Sequence, residues 1–120
     1  MINLLGKNKR WQYENTITGQ FDEVADRLHN EIMNSGLSMG LVDDSSYAVQ
    51  DTKILIRVYD KYFYRNKSRA SLSLTLVGNK DTIFVSAIGA GGGQGIFLNF
   101  SLGAETEMVD IVRNTIEKMK

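Results

Sequence analysis

The stretch "RASLSLTLVG", residues 69–78, decides the fold of this chain of 120 residues. Leu72, Leu74 and Leu76 alternate with serine and threonine, and a period of two residues is typical of a β-strand with one buried and one exposed face. We therefore predict a sheet whose leucine-bearing side forms the core.

Similar stretches flank this strand and are joined to it by short polar connections. "TKILIRVYDKYFY" (52–64) precedes "RNKS" (65–68), and "TIFVSAIG" (82–89) follows "GNKD" (78–81). Connections this short favour antiparallel neighbours. On the core side of the sheet we expect, besides the leucines, Ile54, Ile56, Val58, Ile83 and Val85.

Two segments show the 3.6-residue period of amphipathic helices. Their apolar stripes are Phe21, Val24, Ala25, Leu28 and Ile32 within 19–36, and Met108, Ile111, Val112, Thr115, Ile116 and Met119 within 103–120.

Further strands are predicted by alternating patterns at 11–18 and 96–100. Another strand is predicted within 37–50, where it runs into a turn or bulge.

Together these elements predict an α+β fold in a single domain, residues 1–120. We expect a curved antiparallel sheet of about five strands with two helices packed on one face, because one-sided helices need an apolar sheet face to cover. A helix-grip arrangement, in which the last helix closes over a cavity, is the alternative.

Composition excludes several classes of function. The chain has no cysteine, which excludes thiolate metal sites and cysteine nucleophiles, and its zero net charge argues against a field that gathers nucleic acid. The only histidine, His29, lies on the flank of the first helix without recognisable catalytic partners. We predict no metal, no cofactor, no enzymatic activity and no membrane association. A cytoplasmic location is expected because the sequence shows neither a signal peptide nor a membrane-spanning run.

The glycine-rich segment "AIGAGGGQG" (87–95) matches a dinucleotide-binding turn only in part. Such a turn needs a third glycine where this chain has Gln94, and it must open a helix, whereas "GIFLNF" (95–100) alternates like a strand. The simpler interpretation is a bulged turn or a close approach of helix and sheet backbones. The candidate contact residues of this segment are Gly91, Gly92, Gly93 and Gln94.

A hairpin rich in aromatic and basic residues is a second candidate contact region. Basic side chains beside aromatic rings can bind phosphate and stack on bases, so nucleic-acid binding is one interpretation. Protection of a sheet edge from aggregation is the other. The candidate contact residues here are Arg57, Tyr59, Tyr62, Tyr64 and Arg65.

The side of the sheet opposite the helices is predicted to carry a mixed apolar surface. Isolated monomers seldom expose large apolar patches, so this surface predicts a homodimer interface or a partner site, with Phe84 as a contact residue. A strongly curled sheet would instead make it a concavity for a small apolar ligand. The residues assigned to this side are Leu55, Arg57, Tyr59, Ser71, Ser73, Thr75, Phe84, Ser86 and Ile88.

The hairpin "YDKYFYRNKSRASLSLTLVGN", the glycine segment and "IFLNFSLGAE" together resemble a family of small uncharacterised bacterial proteins, a domain-of-unknown-function group. The resemblance extends from about Leu37 onward and implies that the glycine run and the Tyr-rich hairpin belong to a shared architecture. It carries no residue roles. The order of elements is similar to the TATA-binding-protein-like arrangement, a likeness of topology from which no function follows.

The sequence thus favours a non-enzymatic cytoplasmic interaction module that self-associates, as a dimer, through the outer sheet face. Two alternatives stay open. One is a carrier of a small apolar ligand in a cavity between helix and sheet. The other is nucleic-acid binding through the Tyr/Lys/Arg hairpin.

Overall fold

The structure, a computed structural model, describes residues 10–36, 38–64, 67–91 and 101–120. The chain runs through strand, helix, four strands and helix, which is the α+β order predicted above. The elements are β1 (Gln12–Thr18), α1 (Phe21–Met33), β2 (Met39–Val49), β3 (Thr52–Phe63), β4 (Ser68–Asn79), β5 (Thr82–Gly91) and α2 (Ser101–Met119).

The five strands form one open antiparallel sheet in the order β1-β5-β4-β3-β2. Consecutive strands from β2 to β5 pair as hairpins, as their short connections require. β1 pairs with β5, so the chain crosses from one edge of the sheet to the other through α1. A register shift between Leu41 and Asp43 marks the irregularity predicted near this point.

Both helices lie on the same side of the sheet and form the core with it. The three leucines of β4 are fully buried, as are Ile83 and Val85 of β5, which confirms the interpretation of the opening stretch. α1 buries Val24, Ala25, Leu28 and Ile32. α2 buries Met108, Val109, Val112 and Ile116 completely.

The prediction for the two faces of β3 was wrong. Leu55 pairs with Leu76 and Tyr59 with Leu72, so Leu55, Arg57 and Tyr59 lie on the helix side. Ile54, Ile56 and Val58, expected in the core, lie on the opposite side. The physical reason is that β3 is apolar on both faces, so its alternation lacks the contrast between polar and apolar residues that fixes a strand's orientation.

One glycine of the glycine-rich segment lies where helix and sheet backbones approach each other. A Cβ on Gly89 would lie 2.6 Å from the Glu105 carbonyl oxygen and 3.0 Å from Val109 Cγ2. The segment continues β5 as far as Gly91. The close-approach interpretation therefore holds at Gly89, and the predicted strand at 96–100 lies outside the described residues.

No helix in the described part of the chain is long and apolar enough to cross a membrane.

Candidate interaction surfaces

The side of the sheet that faces away from α1 and α2 is uncovered by the described residues, and we call it the open face. Cross-strand pairing arranges its residues in rows. One row runs Tyr47, Ile54, Val77 and Phe84 across four strands, so aromatic and aliphatic side chains are adjacent over the width of the sheet. The next row contains Ile56 beside Thr75, and the row after it contains Val58, Ser73 and Ile88.

The apolar side chains of these rows form one apolar patch on the open face. Ile56 is 43% exposed, Ile88 49% and Tyr47 62%. Charged residues lie at the margin, where Arg69 is 3.9 Å from Asp60. An apolar centre with a polar rim is the composition of a protein interface. The apolar patch consists of Tyr47, Ile54, Ile56, Val58, Val77, Phe84 and Ile88.

The two edges of the sheet differ in how well they are covered. At β1, the Tyr13 hydroxyl donates a hydrogen bond of 2.8 Å to Glu117 of α2, and Arg113 lies 5.3 Å from the centre of the Tyr13 ring. At β2, residues 41–50 are all exposed. The apolar patch therefore extends through Tyr47 to an uncovered edge.

Tyr59 and Arg57 lie away from the open face, beneath α1. Tyr59 is fully buried, and its hydroxyl is 2.9 Å from His29 Nδ1. Burial raises the pKa of Tyr59, and the nearby Arg57 guanidinium opposes part of this rise. Tyr59 is therefore neutral at physiological pH and links α1 to β3.

Arg57 contributes to a groove between α1 and the β2–β3 half of the sheet. Its Nε is 3.4 Å from Asp44 Oδ2, and its Nη1 is buried without a hydrogen-bond partner among the described residues. The groove has a volume of about 490 Å³ and is lined by residues of all three elements. Sequence analysis placed His29 on the flank of the first helix, and it did not predict the contact between Asp44 and Arg57, which are 13 residues apart along the chain.

The aromatic residues of the β3–β4 hairpin pack against each other. The rings of Tyr62 and Tyr64 meet edge to face with 4.8 Å between centroids, and the Arg69 guanidinium lies 5.6 Å from the Tyr62 ring. Arg69 also faces Asp60, so its charge is partly compensated. Arg65 lies outside the described residues.

Of the predicted contact residues in the glycine segment, Gly91 is the exposed last residue of β5. Gly92, Gly93 and Gln94 lie outside the described residues. Within the residues that are described, no three histidine, aspartate or glutamate side chains cluster as metal ligands would. Phe84 and Tyr62 thus both lie on the open face, in different rows, whereas Arg57 and Tyr59 lie on the helix side.

Comparison with known proteins assigns a family but no activity. No curated protein matches the sequence. The model of a family of unknown function, DUF6054, matches residues 11–120, which include every helix and strand described above. The chain therefore belongs to the DUF6054 family.

Proposed function

We propose that this protein is a non-enzymatic cytoplasmic interaction module that self-associates by packing the open faces of two copies against each other. The observation that carries the proposal is the apolar patch, which spans four strands on the uncovered side of the sheet. Exposed patches of this kind mark interaction sites because leaving them in water costs free energy.

A second copy suits this surface in shape and size. Large and small side chains alternate across the central rows, with Ile56 beside Thr75 and Val58 beside Ser73, so two such faces can interdigitate as the sheets of a sandwich do. Five strands of 7 to 12 residues, with about 3.3 Å per residue and about 4.8 Å between strands, give a face on the order of 800 Å². Stable interfaces typically bury about 800 Å² per partner.

Sedimentation equilibrium over a range of protein concentrations tests the proposal. We expect the wild type to form a dimer and Ile56→Lys to raise the dissociation constant at least about a hundredfold, because each interface would bury two unpaired ammonium groups.

Leu41→Lys is the matched control for this experiment. Leu41 is 40% exposed, close to the 43% of Ile56, but it pairs with Tyr59 and so lies on the helix side. Its substitution should leave the dissociation constant unchanged. A wild type that stays monomeric at every concentration, or a dimer weakened equally by both substitutions, would contradict self-association through the open face.

A further inference from the structure

The outer edge of β2 presents backbone N–H and C=O groups that no other described strand uses. β2 has 11 residues and pairs only with β3, whereas β1 at the other edge has 7 residues. Residues 41–50 are all exposed, so neither helix covers this edge. An exposed strand edge is a template for pairing with a strand of another chain.

Only part of this edge is protected against such pairing. The register shift between Leu41 and Asp43 interrupts the strand, and the Asp43 side chain accepts a hydrogen bond of 2.8 Å from the backbone N–H of Asp44. Bulges and charges are common protections of edge strands. From Ser45 to Val49 the pairing with β3 is regular and no residue is charged. We call residues 45–49 the unprotected edge.

The unprotected edge is complementary to a second copy of itself. Tyr47 is its central residue, so antiparallel pairing about a two-fold axis at Tyr47 places Ser45 opposite Val49 of the partner subunit. No like charges meet within the five paired residues. The Tyr47 rings of the two copies become direct neighbours on the open face, and aromatic cross-strand pairs stabilise antiparallel strands.

This register also continues the apolar row of the open face. The row of Tyr47, Ile54, Val77 and Phe84 ends at the outer edge with Tyr47, which is 62% exposed. With the axis at Tyr47, the row of one copy runs directly into the same row of the other. A shift by two residues would place Tyr47 opposite a serine or a valine and would displace the two rows from each other.

We propose that β2 forms a second self-association site, separate from the packing of the open faces. The unprotected edges of two copies pair as antiparallel strands about Tyr47, and the two sheets become one continuous sheet. The paired segment is only about 17 Å long, so this contact forms at higher protein concentration than the packing of the open faces. Because the contact is isologous, each copy uses its edge once and the pairing closes.

Cysteine cross-linking tests the register, and the chain contains no cysteine of its own. Ser46 and Ala48 pair with Leu55 and Lys53 and lie on the helix side, so packing of the open faces does not bring them together. In the proposed register Ser46 is directly opposite Ala48 of the partner subunit, with about 5 Å between Cα atoms, which a disulfide can bridge. Identical residues of the two copies are about 8 Å apart, which a disulfide cannot bridge.

An equimolar mixture of Ser46→Cys and Ala48→Cys, oxidised briefly in a glutathione buffer, should give at least about fivefold more cross-linked dimer than either variant alone. Non-reducing electrophoresis measures the yield. A yield from the mixture no greater than that from the single variants would overturn the proposal.

The Ile56→Lys background distinguishes this site from the open face. The mixed cross-link should persist there, because Ile56 does not belong to the unprotected edge. Persistence of the cross-link would support the edge contact even if Ile56→Lys had no effect on the dissociation constant, a result that contradicts only the proposed function. Loss of the cross-link in this background would overturn a separate edge contact.

Amide hydrogen exchange tests the contact in the wild type. Antiparallel pairing uses the outward N–H groups of alternate residues, so alternate amides within 45–49 should exchange at least about tenfold more slowly in concentrated than in dilute protein. The N–H of Asp44, already bonded to Asp43, is the internal control and should not change. Exchange rates within 45–49 that are independent of protein concentration would overturn the proposal.

Discussion

At the scale of single residues, Gly89 is a point of close approach between α2 and the sheet. The nearest atom to a Cβ at this position is the backbone oxygen of Glu105, which cannot rotate away as a side chain can. We expect Gly89→Ala to lower the free energy of unfolding by about 1–3 kcal/mol, because the helix must shift or the core must be overpacked.

Gly40→Ala is the control for this prediction, measured by chemical denaturation in the same way. Among the described residues, no atom beyond Gly40 and its two chain neighbours lies within 4 Å of a Cβ at this position, so we expect a change below about 0.5 kcal/mol. If both substitutions had the same small effect, the close approach of α2 to β5 at Gly89 would be refuted.

The raised pKa of Glu105 leads us to expect that the stability of the fold depends on pH. Burial raises the pKa of its carboxyl above the ordinary value of 4.5, so the folded state disfavours the ionised form. Stability associated with this group is present below pH 4.5 and is lost as the pH rises through the folded-state pKa. Glu105→Gln should therefore gain stability over the wild type between pH 4 and pH 7. A difference that is independent of pH in this interval would contradict the burial of the carboxyl.

At the scale of elements, β3 has two apolar faces of which only one belongs to the core. Leu55 is buried beneath α1, whereas Ile56 is 43% exposed on the open face. In protein dilute enough to be monomeric, Leu55→Ala should lower the free energy of unfolding by about 2–4 kcal/mol and Ile56→Ala by less than about 1 kcal/mol. Thermal or urea unfolding checks this order. Its reversal would restore the face assignment predicted from the sequence.

The sequence was sufficient to predict elements whose two faces differ in polarity. The leucines of β4 alternate with hydroxylated residues, and α1 separates Leu28 from its charged side, so strand, helix and core face were all predicted correctly. β3 lacks that contrast. Val109 was left out of the predicted helical stripe, although its spacing of three and seven residues from Val112 and Ile116 places it on the same buried face of α2.

The candidate sites depended even more on contacts between distant parts of the chain. The open face was predicted as an apolar surface, and Phe84 and Ile88 lie on it as expected. The cluster of Arg57, Asp44, Tyr59 and His29 joins α1, β2 and β3, and no local pattern in the sequence indicates that these side chains meet.

At the scale of the whole molecule, both helices of the described residues lie on the same side of the sheet. They bury one face of the sheet and leave the other face in contact with solvent. For this reason a chain of ordinary composition exposes a row of apolar side chains across four strands. In this account, a second copy supplies the missing layer and completes a four-layer assembly of helix, sheet, sheet and helix.

The most direct test of this assembly is the solvent accessibility of methyl groups, measured by NMR with a soluble paramagnetic cosolute. In a single chain Ile56 and Leu41 are exposed to almost the same extent, 43% and 40%. In concentrated wild-type protein we predict that the Ile56 and Ile88 methyls are relaxed much less than those of Leu41, and that this difference disappears on dilution. Equal relaxation of Ile56 and Leu41 at every concentration would contradict the claim that two open faces pack together.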